Sequence, residues 1–272
     1  KTFVLYGFSL QVILILNYWN KIVLYLYTFK KFMNMKLDIL AIGAHPDDVE
    51  LGCGATLSKE ISLGKSVGIL DLTRGELGTR GSAEIRDAEA KKSANILGVK
   101  IRENLAFADG FFRNDKEHQL EIIKIIRKYK PEIVLCNAIK DRHIDHSKGS
   151  ELVSNACFLS GLVKIETTLN GAAQEGWRPK RVYHYIQWDN LEPDFVVDVT
   201  GFIENKLEAV KAYSSQFYDP KSKEPTSPIS SKNFLDSILY RAQDLGRLIG
   251  TAHAEGFNVE RYVAVENLDK LI

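Results

Sequence analysis

Short apolar runs, each closed by a polar loop and followed by a helix-like stretch, dominate the pattern of residues 35–163. Residues 37–43 (LDILAIG), 66–73 (SVGILDLT) and 132–137 (EIVLCN) are the clearest runs. Apolar stretches of this length with few polar interruptions read as strands buried on both faces of a parallel sheet. Residues 54–63, 83–97, 117–129 and 147–163 have helical character, and Pro131 stops the third of them. Residues 99–107 form a weaker strand candidate. The alternation predicts an α/β fold, a Rossmann-like, mainly parallel sheet with helices on both faces. Right-handed crossovers then bring the loops after each strand to one edge, where open α/β sheets bind ligands.

The second half is less regular. Residues 181–187 and 195–199 read as strands, and 202–213 and 233–248 as helices. Between those helices, residues 219–231 (DPKSKEPTSPISS) hold three of the seven prolines and no apolar period. A loop of that length is expected to be a lid, a contact surface or disorder.

Residues 1–34 differ in kind from the rest, with four lysines, no acid and nine of the 27 aromatic residues. Their two apolar runs, 3–16 and 22–29, are each shorter than the ~20 residues that span a bilayer. The expectation is an extension upstream of Met35, with a membrane anchor as the alternative, and one domain over residues 35–272.

The whole chain carries 36 basic and 35 acidic residues, a net charge of +1. That balance gives no reason to expect a nucleic-acid partner. Three widely spaced cysteines, Cys53, Cys136 and Cys157, provide neither a disulfide framework nor a CxxC pair, so a reducing cytoplasm is the expected setting.

Two clusters hold the chemistry. His45-Pro46-Asp47-Asp48-Val49-Glu50 follows the first strand, and Asp141-Arg142-His143-Ile144-Asp145-His146 follows EIVLCN. Two His and one Asp on loops sharing a sheet edge suit a catalytic metal with an open position, and a spare carboxylate beside it could take a proton from water. The alternatives are a turn that caps a helix for the first cluster and a solvated charged loop for the second. Arg74-Gly75-Glu76-Leu77-Gly78-Thr79-Arg80, after the second strand, is expected over the same edge. Arg74 and Arg80 there suit carboxylates by bidentate pairing, Glu76 suits sugar hydroxyls, and Arg113 is a further candidate. A nucleotide-binding module without catalysis fits less well, because His-Pro-Asp-Asp stands where a phosphate-cradling glycine loop would be.

AHPDDVELGCGATL, paired with HIDH about a hundred residues later, resembles the zinc-dependent LmbE/PIG-L deacetylases. TRGELGTRGSAEIRDAEA, KAYSSQFYDP and AEGF are similar to the branch that deacetylates N-acetylglucosaminyl-malate in bacillithiol biosynthesis. The resemblance implies that His45, Asp48 and His146 are the metal ligands, Asp47 the general base and His143 the stabiliser of the tetrahedral intermediate, met as an imidazolium. It makes Asp145 an orienting partner for an imidazole. It implies one Zn²⁺ per chain, which a His₂Asp site could replace with Fe²⁺, Co²⁺ or Mn²⁺, and a homo-oligomer, trimer or hexamer. The substrate it implies is a small N-acetylglucosamine conjugate. The malate conjugate leads, and a chitobiose-type, mycothiol-like or lipid-linked one is the alternative.

Overall fold

Strands β1 (Ile39–Gly43), β2 (Val67–Thr73), β3 (Ile101–Phe107) and β4 (Ile133–Cys136) alternate with helices α1 (Asp48–Ser62), α2 (Ala83–Leu97), α3 (Lys116–Tyr129) and α4 (Ile144–Leu159). This is a computed structural model, and it describes residues 35–270. The expected N-terminal extension or anchor, residues 1–34, lies outside the described residues. Every residue of β1 and β2 is buried, which is why their sequences run apolar without alternation. A two-strand hairpin, β5 (Thr168–Leu169) and β6 (Ala172–Ala173), leads to β7 (Arg181–Tyr185) and β8 (Phe195–Asp198). Helices α5 (Ile203–Lys211) and α6 (Lys232–Leu248) and strand β9 (Ala254–Val259) follow.

The main sheet has the order β3-β2-β1-β4-β7-β9-β8. Its first five strands are parallel, and β9 runs antiparallel between β7 and β8. Successive residues of β1 serve opposite faces, as a pleated strand requires. Leu40 and Ile42 pack with Ile122 and Ile126 of α3 and Leu152 of α4. Ile39 and Ala41 pack with Val49 and Leu57 of α1 and Ala209 of α5. With both faces covered, the C-terminal ends of β1, β2, β3 and β4 open their loops on a common edge.

Two local features depart from the sequence expectation. Helix α1 begins at Asp48, inside the stretch read as a loop, and breaks at Cys53 (φ −143°, ψ 19°). The periodic apolar signal belongs to the part after the break. Gly52 is fixed there because a Cβ would lie 2.1 Å from the Tyr185 ring. After the break, Glu255 of β9 accepts the amide hydrogens of Ala55 and Thr56 and so caps the restarted helix. Strand β9 (AEGFNV) is the second departure, since Glu255 and Gly256 hide its apolar run. Glu255 is tolerated in the interior because Lys206 pairs with it at 2.6 Å. The loop at 219–231 stays largely exposed; Arg80 bonds to its Ser222, and Ser227, Pro228 and Ile229 line the cavity, as a lid or contact surface would. Among the described residues, no helix is long and apolar enough to cross a membrane.

Candidate active site

The loops after β1 and β4 bring three imidazoles together. A ring nitrogen of each of His45, His143 and His146 lies within 4.8 Å of the others. Asp48, in the first turn of α1, reaches into the same group: its carboxylate is 3.5 Å from His45 Nδ1 and 3.1 Å from His146 Nε2. The outward nitrogens of both rings meet buried carboxylates. His45 Nε2 is 3.0 Å from Asp109, and His146 Nδ1 bonds to Asp141. Carboxylates that hold the far nitrogen of a histidine fix its tautomer and direct the near nitrogen at a metal. The donor set of His45, Asp48 and His146 therefore fits a divalent cation.

Electrostatics agree. Burial works against charge on His45, yet hydrogen bonds to Asp109, Asp145 and Asp48 outweigh it and hold the imidazolium well above its usual range. Burial likewise opposes charge on His146, and Asp48 and Asp141 push it up to about 9. Asp48 is pulled below the usual carboxylate range, against its burial, by His146 and His45. Its oxygens also accept the His45 amide, Asn137 Nδ2 and Gln187 Nε2. A buried carboxylate held by that many donors is a fixed anion, and the pocket around it favours positive charge.

Asp47 stands at the N-terminus of α1 with φ 119°, a left-handed conformation that costs a non-glycine residue of order 1–3 kcal/mol. The strain turns its carboxylate toward Arg86 of α2, which donates to Asp47 Oδ2 at 2.8 Å and to the Pro46 carbonyl at 2.6 Å. Burial pushes the Asp47 carboxyl up to about 7, against the pull of Arg86. That is the range in which a general base works best near neutral pH.

His143 caps α4, its Nδ1 accepting the Asp145 amide hydrogen. Burial, with the charges of His45 and His146, holds its pKa below the usual value. An Nδ1 that accepts leaves Nε2 to carry the ring hydrogen toward the cavity. Asp145 orients a different imidazole from its sequence neighbours. Its Oδ2 lies 3.5 Å from His45 Nε2 and accepts the Gly110 amide, while Oδ1 takes Lys148.

A cavity of about 470 Å³ opens beside these groups. Of the expected substrate residues only Arg80 lines it. Arg74 is corrected: its guanidinium is engaged by Glu84 and Asp87 of α2, on the surface. Glu76 is corrected too, since its carboxylate accepts the Asp109 amide and braces the loop after β3. Arg113 is exposed and away from the cavity. The residues that sequence reasoning missed are Arg86, Asp109, Asn137, Asp141, Arg142, Gln187 and Arg241. Asp141 and Arg142 stood inside a flagged cluster, and Asn137 closed a predicted strand. Arg86 sat in a stretch read for its family likeness, and Asp109 followed a strand ending on the same edge. Gln187 and Arg241 carried no signal. Glu50, next to the ligands in sequence, faces away and binds Ser93, Arg102 and Tyr213 in a buried cluster.

Comparison with known proteins places the chain in a family. The family described as PIG-L: GlcNAc-PI de-N-acetylase matches residues 40–157. A diacetylchitobiose deacetylase of Thermococcus kodakarensis is 33% identical over 189 residues, 66% of this chain and 70% of that protein. A probable N-acetyl-alpha-D-glucosaminyl L-malate deacetylase 2 of Bacillus anthracis is 25% identical, over 68% of this chain and 84% of its own. A solved structure of a conserved protein from Thermus thermophilus superposes with a TM-score of 0.77 at 34% identity, covering 86% of this chain and all of its own. By fold, by the matched segment and by identity over most of a relative's length, the chain belongs to the PIG-L family of GlcNAc-PI de-N-acetylases.

Proposed function

We propose that the chain is a zinc-dependent hydrolase that removes acetate from an N-acetylglucosamine conjugate with an anionic aglycone, the malate conjugate foremost. The observation that carries this reading is the convergence of His45, Asp48 and His146 with Asp47 and His143 on one cavity. A zinc held by His45, Asp48 and His146 supplies Lewis-acid polarisation of the amide carbonyl and a lowered pKa for water. Asp47 removes the proton as water oxygen bonds to the acetyl carbon, and Arg86 keeps that carboxylate in place. His143 donates its Nε2 hydrogen to the oxygen on which charge develops. As the C–N bond breaks, Asp47 returns the proton to the departing amine. The cysteines are free and buried, in keeping with a reducing cytoplasm.

Arginines support the anionic aglycone, though not the ones first expected. Arg80, Arg142 and Arg241 line the cavity. Arg80 bonds to the carbonyls of Gln216 and Phe217, Arg142 lies 4.6 Å over Trp188, and Arg241 donates to the Trp188 carbonyl. The hydrogen bonds of Arg80 and Arg241 go to neutral groups, and the charges of Asp141 and Asp189 act on Arg241, so Arg80 and Arg142 are the guanidinium groups best placed for a ligand carboxylate.

The test is acetate release from N-acetylglucosaminyl-malate, N-acetylglucosamine and N,N'-diacetylchitobiose, with chelator and with zinc restored. Turnover that chelation stops is expected, with kcat/KM at least tenfold higher for the malate conjugate. Chelator-sensitive turnover led by diacetylchitobiose would overturn the malate assignment and keep the deacetylase, while chelator-insensitive turnover would overturn the metal. A second measurement concerns Asp141. Asp141→Asn is expected to weaken zinc binding by roughly 10–100-fold in competition with a chromophoric chelator, and unchanged affinity would remove Asp141 as the partner that orients His146.

A further inference from the structure

We infer that the site hydrolyses N-acyl groups longer than acetyl, an inference that rests on the deacetylase reading above. The cavity has two unlike ends. Its outer lining is exposed, with Leu77 62% and Ile144 67% accessible, and carries Arg142, whereas Arg80 is buried. Its inner lining is buried and apolar, formed by Ile186, Ile238, Ala242, Ala254 and Gly256.

The inner end adjoins the metal donors on the Asp48 side. Gln187 donates to Asp48 Oδ1 at 2.9 Å, and its chain neighbour Ile186 is the first wall of the apolar end. Gly52, one turn beyond Asp48 on α1, lines the same end and tolerates no side chain because of Tyr185. A Cβ on Gly256 would likewise come within 3.0 Å of Pro193, 3.2 Å of Ile186 and 3.3 Å of Leu245, so both glycines mark close packing of this wall. Lys206 and Glu255, the charged pair at this end, are committed to each other and to the amides of Ala55 and Thr56.

A sugar conjugate is polar and belongs at the exposed end beside Arg142. With the sugar there and the amide carbon at the donor set, the acyl tail continues toward Ile186, Ile238 and Ala242. An acetyl methyl leaves most of that wall uncovered, and each methylene added against apolar surface gains burial. The reaction is unchanged in kind: water oxygen bonds to the acyl carbon, the C–N bond breaks, the amine takes the proton and the longer carboxylate leaves.

The experiment follows amine release by the zinc-loaded protein from N-acetyl, N-butyryl and N-hexanoyl amides of both glucosamine and glucosaminyl-malate. A pocket closed around the methyl loses roughly tenfold or more for each methylene added. The expected result is a butyryl kcat/KM equal to or above that of acetyl. Ala242→Leu, which narrows the inner end, is expected to lower the butyryl-to-acetyl ratio about tenfold, and Leu245→Ala to raise it. The ratio is measured within one enzyme, so a partly folded variant does not blur it. A hundredfold fall from acetyl to butyryl, with acetyl turnover intact, overturns the inference and leaves the deacetylase standing. Absence of turnover on all of these amides and on N,N'-diacetylchitobiose, with metal bound, overturns both.

Discussion

Asp47→Asn is expected to lower turnover by about two to four orders of magnitude, the usual contribution of a general acid–base group, while the protein keeps its metal. Asparagine is the informative replacement. It tolerates the left-handed conformation that Asp47 adopts (φ 119°) better than most residues, and its amide oxygen can still accept from Arg86. Asp47→Ala adds backbone strain and leaves Arg86, whose side chain is only 6% exposed, without its carboxylate. An unpaired buried charge is costly, so alanine mixes a folding defect with the chemical one. Acetate release and metal content measured on the same preparation separate the two effects. Turnover near that of the unaltered protein, with metal bound, would show that another group takes the proton.

The features that make this experiment clean were only partly legible in the sequence. The parallel half of the sheet could be read because β1, β2 and β4 are continuous apolar runs, while β3 (IRENLAF) was weaker because polar residues interrupt it. The candidate ligands could be read because they follow two such strands in clusters with no better structural use. Strand β9 was hidden because Glu255, a cavity residue and a helix cap, interrupts it. The start of α1 was hidden because Asp48 and Glu50 are buried by partners far away in the chain: Asn137 and Gln187 for the first, Arg102 and Tyr213 for the second.

Substrate contacts were the least legible part. A guanidinium in a loop looks the same whether it faces the cavity, like Arg80, or an acidic helix surface, like Arg74 beside Glu84 and Asp87. What decides between them is the placement of α2, a tertiary fact. Arg241, far beyond the last histidine of the cluster in the chain, reaches the cavity because α6 packs on β9. Its position on a long amphipathic helix gives no sign of that.

His146→Ala is expected to abolish zinc binding at concentrations that saturate the unaltered protein, and with it all measurable turnover. Two of three protein ligands remain, and one of them, Asp48, is left with Asn137, Gln187 and the His45 amide as its partners. Those neutral donors keep the carboxylate satisfied, so the fold survives while the site loses its metal. Stability reports this without any assay of activity. A ligand that binds only the folded state stabilises it by RT ln(1 + [L]/Kd), about 2.7 kcal/mol at a hundredfold excess over Kd. The unaltered protein should therefore melt several degrees lower after chelation and recover with zinc, whereas His146→Ala should melt at one temperature throughout. His143→Ala is the contrast: the zinc-dependent shift in melting persists and turnover falls by roughly 10²–10³, as for loss of one oxyanion donor. A zinc-dependent shift in His146→Ala equal to that of the unaltered protein would move the third ligand to His143 and exchange the roles of the two imidazoles.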